Sequence, residues 1–554
     1  MLNDRIQQEL SALKPKTSLE DTFIETLKKI SAELAADQNS TTPHLRTIND
    51  LNSHIASQTT VESSLIKLTA RVIDLYEIDY FGGIVKDKST AVPSVFIFGN
   101  DEDLESHYLK TQETLDWENP CLITRRLCKF KLLGTDGEGQ SEVGGDEMIG
   151  ALYSNHEDLK INQVYTFNAE FVHKLWAPVK DADSMIEEKI VEKPEVGLDE
   201  EFDSQFPVVK VIDYAETDFA GFYGVYDAIG ERRNLMDSDE LKKAGETALS
   251  TLKSVFKDSL VSKLMLLSLI SHGTKRDTNG DPVDILSLNF YGLTPEDGSA
   301  QKMMPKIEGL LSKICPSYAF TEMTTAKLNA SPYYARKDFT KNQIITGKCD
   351  VYSGSFLALN EVGLNEGQLV HFGVKNINFL NKIITNQHYN IDYEYSEVTT
   401  EVSCPVVSFS NDKSILNFDV KLPYKKFCAD GHSTETEMDV ESCEAEDLSG
   451  FRNLIVHCKA VSDKFSLADE NKLLIVEDFI SNKNNKVFSS WEQLKLLISI
   501  AKYLSILQGE VDIKFTEYET AKVILSEIIS RQEDFEKLLK KKDPSIKEPI
   551  KNII

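Results

Sequence analysis

Apolar residues at Ile6, Leu10 and Leu13, and again at Phe23, Leu27, Ile30 and Leu34, fall three or four positions apart, the spacing that lines one face of a helix. They predict short helices in an N-terminal segment, residues 1–60, with a loose Thr-rich loop around Asn39–Thr42. From Leu65 the period changes. The stretch LIKLTARVIDLYEIDYFGGIV and then SVFIFGN alternate β-branched and aromatic residues with polar ones, with Gly82, Gly83 and Gly99 as turns. Strand patterning continues through Thr124–Leu133 and Val164–Trp176 and returns in FPVVKVIDYAETDFAGFYGVYDAIG, so residues 61–235 read as one small β domain. Past Gly230 the elements alternate: a helix over Asp237–His272, a strand at ILSLNFYG, a helix over Gln301–Cys315, and strands at GSFLALNE and CPVVSFS. That alternation predicts an α/β sheet domain over residues 236–480. Ser489 and Glu492 stand at capping-box spacing before the apolar run Trp491–Leu507, and Thr516 and Glu519 repeat the signature before Ala521–Leu539. Two helices are therefore expected to close the chain, over 481–554.

A chain of 554 residues exceeds one hydrophobic core, which agrees with a division into several domains. With 41% hydrophobic and 27% charged residues, the composition is that of a globular protein able to bury a sizeable core. The net charge of -28 repels phosphate backbones and anionic membrane surfaces, so direct nucleic-acid binding is not expected. The same field attracts a basic partner surface, although solubility alone is the weightier reason for acidity. Acidic residues concentrate at 181–204, where Pro194 and Gly197 interrupt any regular element, and at Glu435–Asp447. The first reads as a solvated linker inside the β domain and the second as a loop inside the α/β domain; a plain surface loop outweighs an acidic docking segment.

Eight cysteines, none in a C-x-x-C pair, predict reduced and mostly buried thiols rather than a metal site. Met1–Leu13 lacks the apolar stretch of a secretory signal, so an intracellular chain is expected. The longest apolar run, Leu260–Ile270, is far shorter than the roughly 20 residues that cross a bilayer and predicts a buried helix. The histidines show no H-E-x-x-H spacing, and no G-x-S-x-G elbow is present. DTNGDPVD from Asp277 has Pro282 where a calcium loop requires glycine, so a hairpin or loop turn is the better reading. GTDGEGQSEVGG from Gly134 alternates acids with its glycines and reads as a loop, not a phosphate cradle.

One block, YARKDFTKNQIITGKCDVYSGSFLALNEVGLNEGQLVHFGVKNINFLNKII, carries Lys337, Asp338, Thr340, Asn342, Gly347, Glu366, Gly367, Gln368, Leu369, Gly373, Val374 and Asn376 in an order that resembles the MCM-binding protein family. LMLLSLISH and LSLNFYG before it, IDYEYSEV after it, and RVIDLYEIDYFGGIV near the N-terminus are each similar to their counterparts in that family. The resemblance implies a non-enzymatic binding partner or chaperone of the minichromosome maintenance replicative helicase. In such a role it would associate with the helicase subunits in place of one member of the hexamer and assist their assembly, protection or removal from chromatin during DNA replication. It also implies a link to sister-chromatid cohesion, residence in the nucleus with the cytoplasm as a second place, and an indirect association with chromatin. Lys540–Lys542 is the only dense basic run, and lysines there serve a helix end equally well.

The same blocks look like a worn-down helicase ATPase module, which turns attention to the nucleotide positions. A phosphate loop needs glycine backbone N–H groups, a lysine and a hydroxyl, and no G-x-x-x-x-G-K-[ST] occurs. After ILSLNF its place is taken by Tyr291, Gly292, Leu293, Thr294, Pro295, Glu296, Asp297 and Gly298, which sets two carboxylates where phosphates need cations. GSFLALNE resembles the strand that ends in paired acids, but Asn360 replaces the first acid beside Glu361. CPVVSFSN ends in Asn411, where such modules sense the γ-phosphate, and Trp491 and Glu492 stand where the lid would bring an arginine. The expected fold is therefore an α/β multidomain chain: an N-terminal OB-like β domain, a degenerate AAA+-like α/β domain without a phosphate-binding loop, and a C-terminal helical lid. Gly292, Asn360, Glu361 and Asn411 are its degenerate nucleotide-site positions, with no catalytic residue, metal or cofactor expected.

Two rival readings are an ATP-dependent remodelling enzyme with an unusual nucleotide site and a single-stranded-DNA-binding OB protein. The first would be favoured by turnover that Glu361→Ala abolishes. The second is weakened because Tyr76, Tyr80 and Phe81 have few basic neighbours besides Lys67 and Arg71.

Overall fold

The computed structural model describes residues 2–11, 19–36, 44–45, 65–97, 110–111, 113–133, 147–153, 158–172, 206–217, 236–273, 275–277, 280, 282–293, 299–315, 317–424, 445–462, 465, 467–481 and 491–542. They fall into two compact units, Met1–Thr217 with Lys337–Ile345, and Asp218–Arg336 with Thr346–Ile554. The mixed α/β character expected from the alternating patterns is present. The segments read as acidic loops at 181–204 and at 134–145, residues 435–444 of the one at Glu435–Asp447, the positions Thr294–Gly298, and Ser489 lie outside the described residues, whereas Ala445–Asp447, expected in that last loop, open a helix.

The first unit contains α1 (Leu2–Ser11), α2 (Leu19–Ala36), β1 (His44–Leu45), β2 (Leu65–Lys86), β3 (Pro93–Val95), β4 (Cys121–Leu132), β5 (Glu147–Leu152), β6 (Val164–Val172) and β7 (Val208–Glu216). β2 pairs antiparallel with both β4 and β6, β4 with β5, and β6 with β7, while β5 and β7 run parallel. These five strands therefore close into a ring, which leaves no open edge among them. β2 pairs with β6 over Leu65–Arg71 and with β4 over Ala70–Ile84, and its register against β4 shifts after Val72, Leu75 and Phe81; such bulges bend and twist a strand. Its alternation sends Ile66, Leu68, Ala70 and Val72 to one side, where they pack with Phe130, Phe167 and Val209. The opposite side of the ring, including Ile123, Leu127, Ile149 and Ala151, packs against Ile6 and Leu10 of α1 and Phe23, Leu27 and Ile30 of α2. The helical spacing read from the sequence is thus the spacing that buries these side chains, at about 1.5–3 kcal/mol each before ordering entropy is subtracted.

The second unit contains α3 (Ser238–Phe256), α4 (Ser259–Ile270), β8 (Leu288–Tyr291), α5 (Ser299–Ile314), β9 (Tyr318–Glu322), α6 (Thr325–Ala330) and the start of β10 (Ala335–Asp338). After β11 (Gln343–Ile345), which belongs to the first unit, come β12 (Phe356–Asn360), α7 (His371–Asn386), β13 (His388–Asp392), β14 (Glu397–Glu401), β15 (Val406–Phe409) and β16 (Val420–Pro423). Four helices follow: α8 (Ala445–Ser462), α9 (Asp469–Ser481), α10 (Trp491–Leu507) and α11 (Phe515–Lys542). The order β16-β8-β15-β12-β9 forms a sheet in which every pair is parallel. Parallel strands covered on both faces are largely apolar, and Leu357–Leu359 and Val406–Phe409 are buried without alternation.

The single helix expected over Asp237–His272 is two. Asp237 caps α3 in a capping box with Glu240, but Lys257 adopts a left-handed backbone (φ 54°) that ends it. Asp258 then caps α4, accepting from the N–H groups of Leu260 (2.9 Å) and Val261 (3.3 Å). Almost every residue of α4 is buried, as its unbroken apolar run predicts. α11 starts at Phe515, so Thr516 lies in its first turn rather than before it.

Candidate functional site

Gly292, Asn360, Glu361 and Asn411, the positions where a degenerate nucleotide site is expected, lie at the carboxyl ends of β8, β12 and β15, the edge of a parallel sheet where ligands ordinarily bind. β8 ends at Tyr291, and Gly292 turns the chain with φ +88°, a conformation that favours glycine. Its N–H donates to Asn411 O at 2.8 Å, the Glu361 N–H donates to Phe409 O at 2.8 Å, and Asn411 Nδ2 donates to Val362 O at 2.8 Å. These bonds tie the strand ends to one another.

The side chains at this edge are also spent on one another. Asn360 Oδ1 turns back to accept from the Val362 N–H at 3.1 Å. Glu361, only 3% exposed, accepts from Ser414 Oγ at 2.8 Å. Asn289 on β8 donates to Ser408 Oγ (2.7 Å) and Ser410 Oγ (2.8 Å) and accepts from the Ser414 N–H (3.2 Å). Lys421 Nζ on β16 donates to Ser414 O at 2.8 Å. Buried polar groups paired in this way specify a unique arrangement, with the exception of Asn411 Oδ1, which is buried without a hydrogen-bond partner among the described residues.

α11 lies across the same edge. The Phe535 ring stands 3.5 Å from where a Cβ on Gly292 would be and meets Tyr291 edge-on at 5.2 Å between centroids. Gln532 Nε2 donates to Lys421 O (2.6 Å), Lys413 pairs with Glu536 (3.0 Å), and Arg531 pairs with Asp258 (2.7 Å). An aromatic side chain therefore packs on the glycine whose backbone a phosphate would have to approach. Asn289, Ser414, Lys421 and Phe535 were not singled out by the sequence reading. The one usable signal was a lone asparagine within the apolar strand LSLNF, since a buried amide requires partners.

Burial raises the Glu361 carboxyl above its ordinary 4.5, opposed by its hydrogen bonds to Ser414 and Ser408 and by the charge of Lys421. Burial likewise lowers Lys421, opposed by Glu361. An acid raised in the folded state contributes stability that is present below 4.5 and lost as pH rises through its folded value. Glu361→Gln, which mimics the protonated acid at every pH, is therefore expected to gain melting temperature over the wild type as pH rises from 5 to 8. A gap that stays constant over that range would contradict the burial account.

The signature-like residues of 334–384 have structural employment. Asp338 Oδ1 accepts from the Thr340 (2.9 Å) and Lys341 (3.3 Å) N–H groups, and Lys337 Nζ reaches Asn342 O (2.9 Å) and buried Asp74 (2.9 Å), all within the first unit. In the second unit Asn376 donates to Leu328 O (2.8 Å) and Ser331 O (2.9 Å) and accepts from the Tyr333 N–H (2.7 Å). A Cβ on Gly347 would stand 2.3 Å from Tyr333 O, so only glycine fits there. The chain from Asp277 turns back through an isolated bridge between Arg276 and Pro282.

Among the described residues no three His, Cys, Asp or Glu side chains gather as metal ligands, and no helix is long and apolar enough to cross a membrane. Cys121, Cys128, Cys315, Cys349, Cys404 and Cys458 are free thiols, and all but Cys121 are buried.

The family profile described as Mini-chromosome maintenance replisome factor matches residues 142–531, well over half of the chain. This chain belongs to that family. The matched region takes in every candidate position at the sheet edge and Arg531 of α11. Relatives named Mini-chromosome maintenance complex-binding protein are 28% identical over 267 residues in Dictyostelium discoideum, 24% over 263 in Drosophila melanogaster and 24% over 272 in Homo sapiens. Those alignments cover 45%, 46% and 49% of this chain and 36%, 42% and 41% of the relatives. The chain thus matches less than half the length of these family members.

Proposed function

We propose that this chain is a non-catalytic binding partner of the minichromosome maintenance complex. The reading rests first on family membership, since the relatives' names describe binding to that complex. The sheet edge supports it: the glycine after β8 is packed by Phe535, and the polar side chains around it bond to one another. A parallel sheet with its first strand interior supports an AAA+-like module, worn down at Gly292, Asn360, Glu361 and Asn411, within residues 236–480. α10 and α11 are read as its lid, within 481–554. A closed ring of five strands with one parallel pair supports the OB-like reading of 61–235. OB-like barrels take oligonucleotides on the face of their second and third strands, and here α1 packs against β3 and α2 against β7 and β4, in one apolar cluster with Ile123 and Leu127 of β4 and Ile149 and Ala151 of β5. That packing favours a protein partner over single-stranded DNA.

In this proposal the chain occupies a helicase subunit's place without contributing ATP turnover, shields exposed subunit interfaces, and so assists assembly, protection or unloading in the nucleus. Association with chromatin is then indirect, and a contribution to sister-chromatid cohesion follows from replication. The test is retention of helicase subunits from nuclear extract by the tagged full chain, with quantification by mass spectrometry. Recovery of most subunits with one depleted is expected. Retention of none at moderate salt would sink the proposal.

A further inference from the structure

Helix α9 is fastened on one side and bare on the other. Ile475 is 2% exposed in the core and Phe479 packs beside it, while Asp478 binds Lys522 (3.2 Å) and Tyr518 Oη (3.1 Å) of α11. Asn471 and the Ala468 N–H both hold Asp512, at 3.0 and 2.8 Å. On the other side Leu473 is 64% exposed, Leu474 45%, Val476 43% and Ile480 67%. Single exposed apolar residues are common, but Leu473, Val476 and Ile480 repeat at i, i+3 and i+7, which makes one continuous stripe on a rigid helix. Glu477, also exposed, stands within that stripe, four residues after Leu473 and three before Ile480.

We infer that this face docks an amphipathic helix of a partner protein that carries a lysine or arginine opposite Glu477. The partner is a subunit of the minichromosome maintenance complex, a step that rests on the proposed function above. Apolar residues at 3.6-residue spacing offer ridges and grooves that match another helix. A carboxylate in the middle of such a seam loses water on docking and requires a cation in return. A second copy of this chain fits poorly. Two-fold pairing of α9 centred on Val476 and Glu477 would bring two Glu477 carboxylates into one seam, and a net charge of -28 opposes self-association.

The experiment titrates purified helicase subunits against the full chain and three variants whose changed residues are exposed, so that folding is preserved and checked by melting. Leu473→Ser with Ile480→Ser, and separately Glu477→Lys, are each expected to weaken binding by about tenfold or more, the scale of a central interface residue. Ile415→Ser, an exposed apolar change on the loop after β15, is expected to bind as the wild type does. Wild-type affinity in both α9 variants would overturn the inference and leave the proposed function standing. Absence of binding by the wild type would remove both. Sedimentation that showed a dimer lost in the α9 variants would overturn it in favour of a second copy.

Discussion

Asp258→Ala is expected to destabilise the second unit by about 3–5 kcal/mol, the range for breaking a buried ion pair by removal of one partner. Asp258 does two jobs from one buried side chain. Its Oδ1 caps α4 through the Leu260 and Val261 N–H groups, and its Oδ2 accepts from Arg531 Nη1 at 2.7 Å. The cap alone is worth about 1 kcal/mol. The larger part comes from Arg531, which among the described residues keeps the more exposed Glu527 as a partner at 2.8 Å. Asp258→Asn retains a capping oxygen and is expected to lose roughly half as much, about 1.5–3 kcal/mol, as for a hydrogen bond to a charged group. Urea unfolding of the two variants separates the contributions. Losses below about 1 kcal/mol for Asp258→Ala, typical of a surface pair, would show that Arg531 does not anchor α11 here.

In the first unit Asp74→Ala is expected to cost a comparable 3–5 kcal/mol, roughly, for the same physical reason. The Asp74 carboxylate accepts from Lys337 Nζ (2.9 Å), the Ile344 N–H (2.8 Å) and the Leu75 N–H (2.9 Å), so its removal takes the acceptor from two backbone donors and the countercharge from Lys337, which keeps Asn342 O (2.9 Å). Burial nevertheless raises the Asp74 carboxyl above 3.8, and the bonds to Lys337, Ile344 and Leu75 only partly oppose it. The pair is therefore costly to ionise and costly to break at once. Asp74→Ala combined with Lys337→Met is expected to recover a substantial part of the loss, because the cation that lost its countercharge is gone while two backbone donors remain. Hydrogen exchange along Leu65–Lys86 reads the effect locally, which matters in a chain whose two units need not unfold together. Equal losses in the single and double variants would mean that the backbone donors, and not Lys337, dominate.

Much of this was legible in the sequence, and the failures have local causes. Period-two patterning located β2, and the uninterrupted apolar run located α4, because each reflects which faces are buried. The break between α3 and α4 was missed: Lys257 is not a residue type that announces a left-handed turn, and Asp258 sits inside what reads as continuous helix. Gly292, Asn360, Glu361 and Asn411 do gather at one sheet edge, since each follows or ends a strand whose register the parallel pairing fixes. What the sequence did not disclose is what fills that edge. Phe535 and Arg531 lie more than a hundred residues from Gly292, Lys421 and Asp258, and no spacing rule links positions so far apart.

Lys337–Ile345 is separated in sequence from the rest of the first unit by more than a hundred residues of the second. During synthesis, the chain up to Thr217 emerges with Asp74 lacking Lys337 and the Ile344 N–H, and these arrive only when the ribosome has reached Ile345. Domains that are continuous in sequence mature as they leave the ribosome. This one must wait for a late piece of its own core, so a nascent chain stalled near Gly230 holds Asp74 without its countercharge and without the Ile344 N–H, and a gene fragment cut there inherits the same defect permanently.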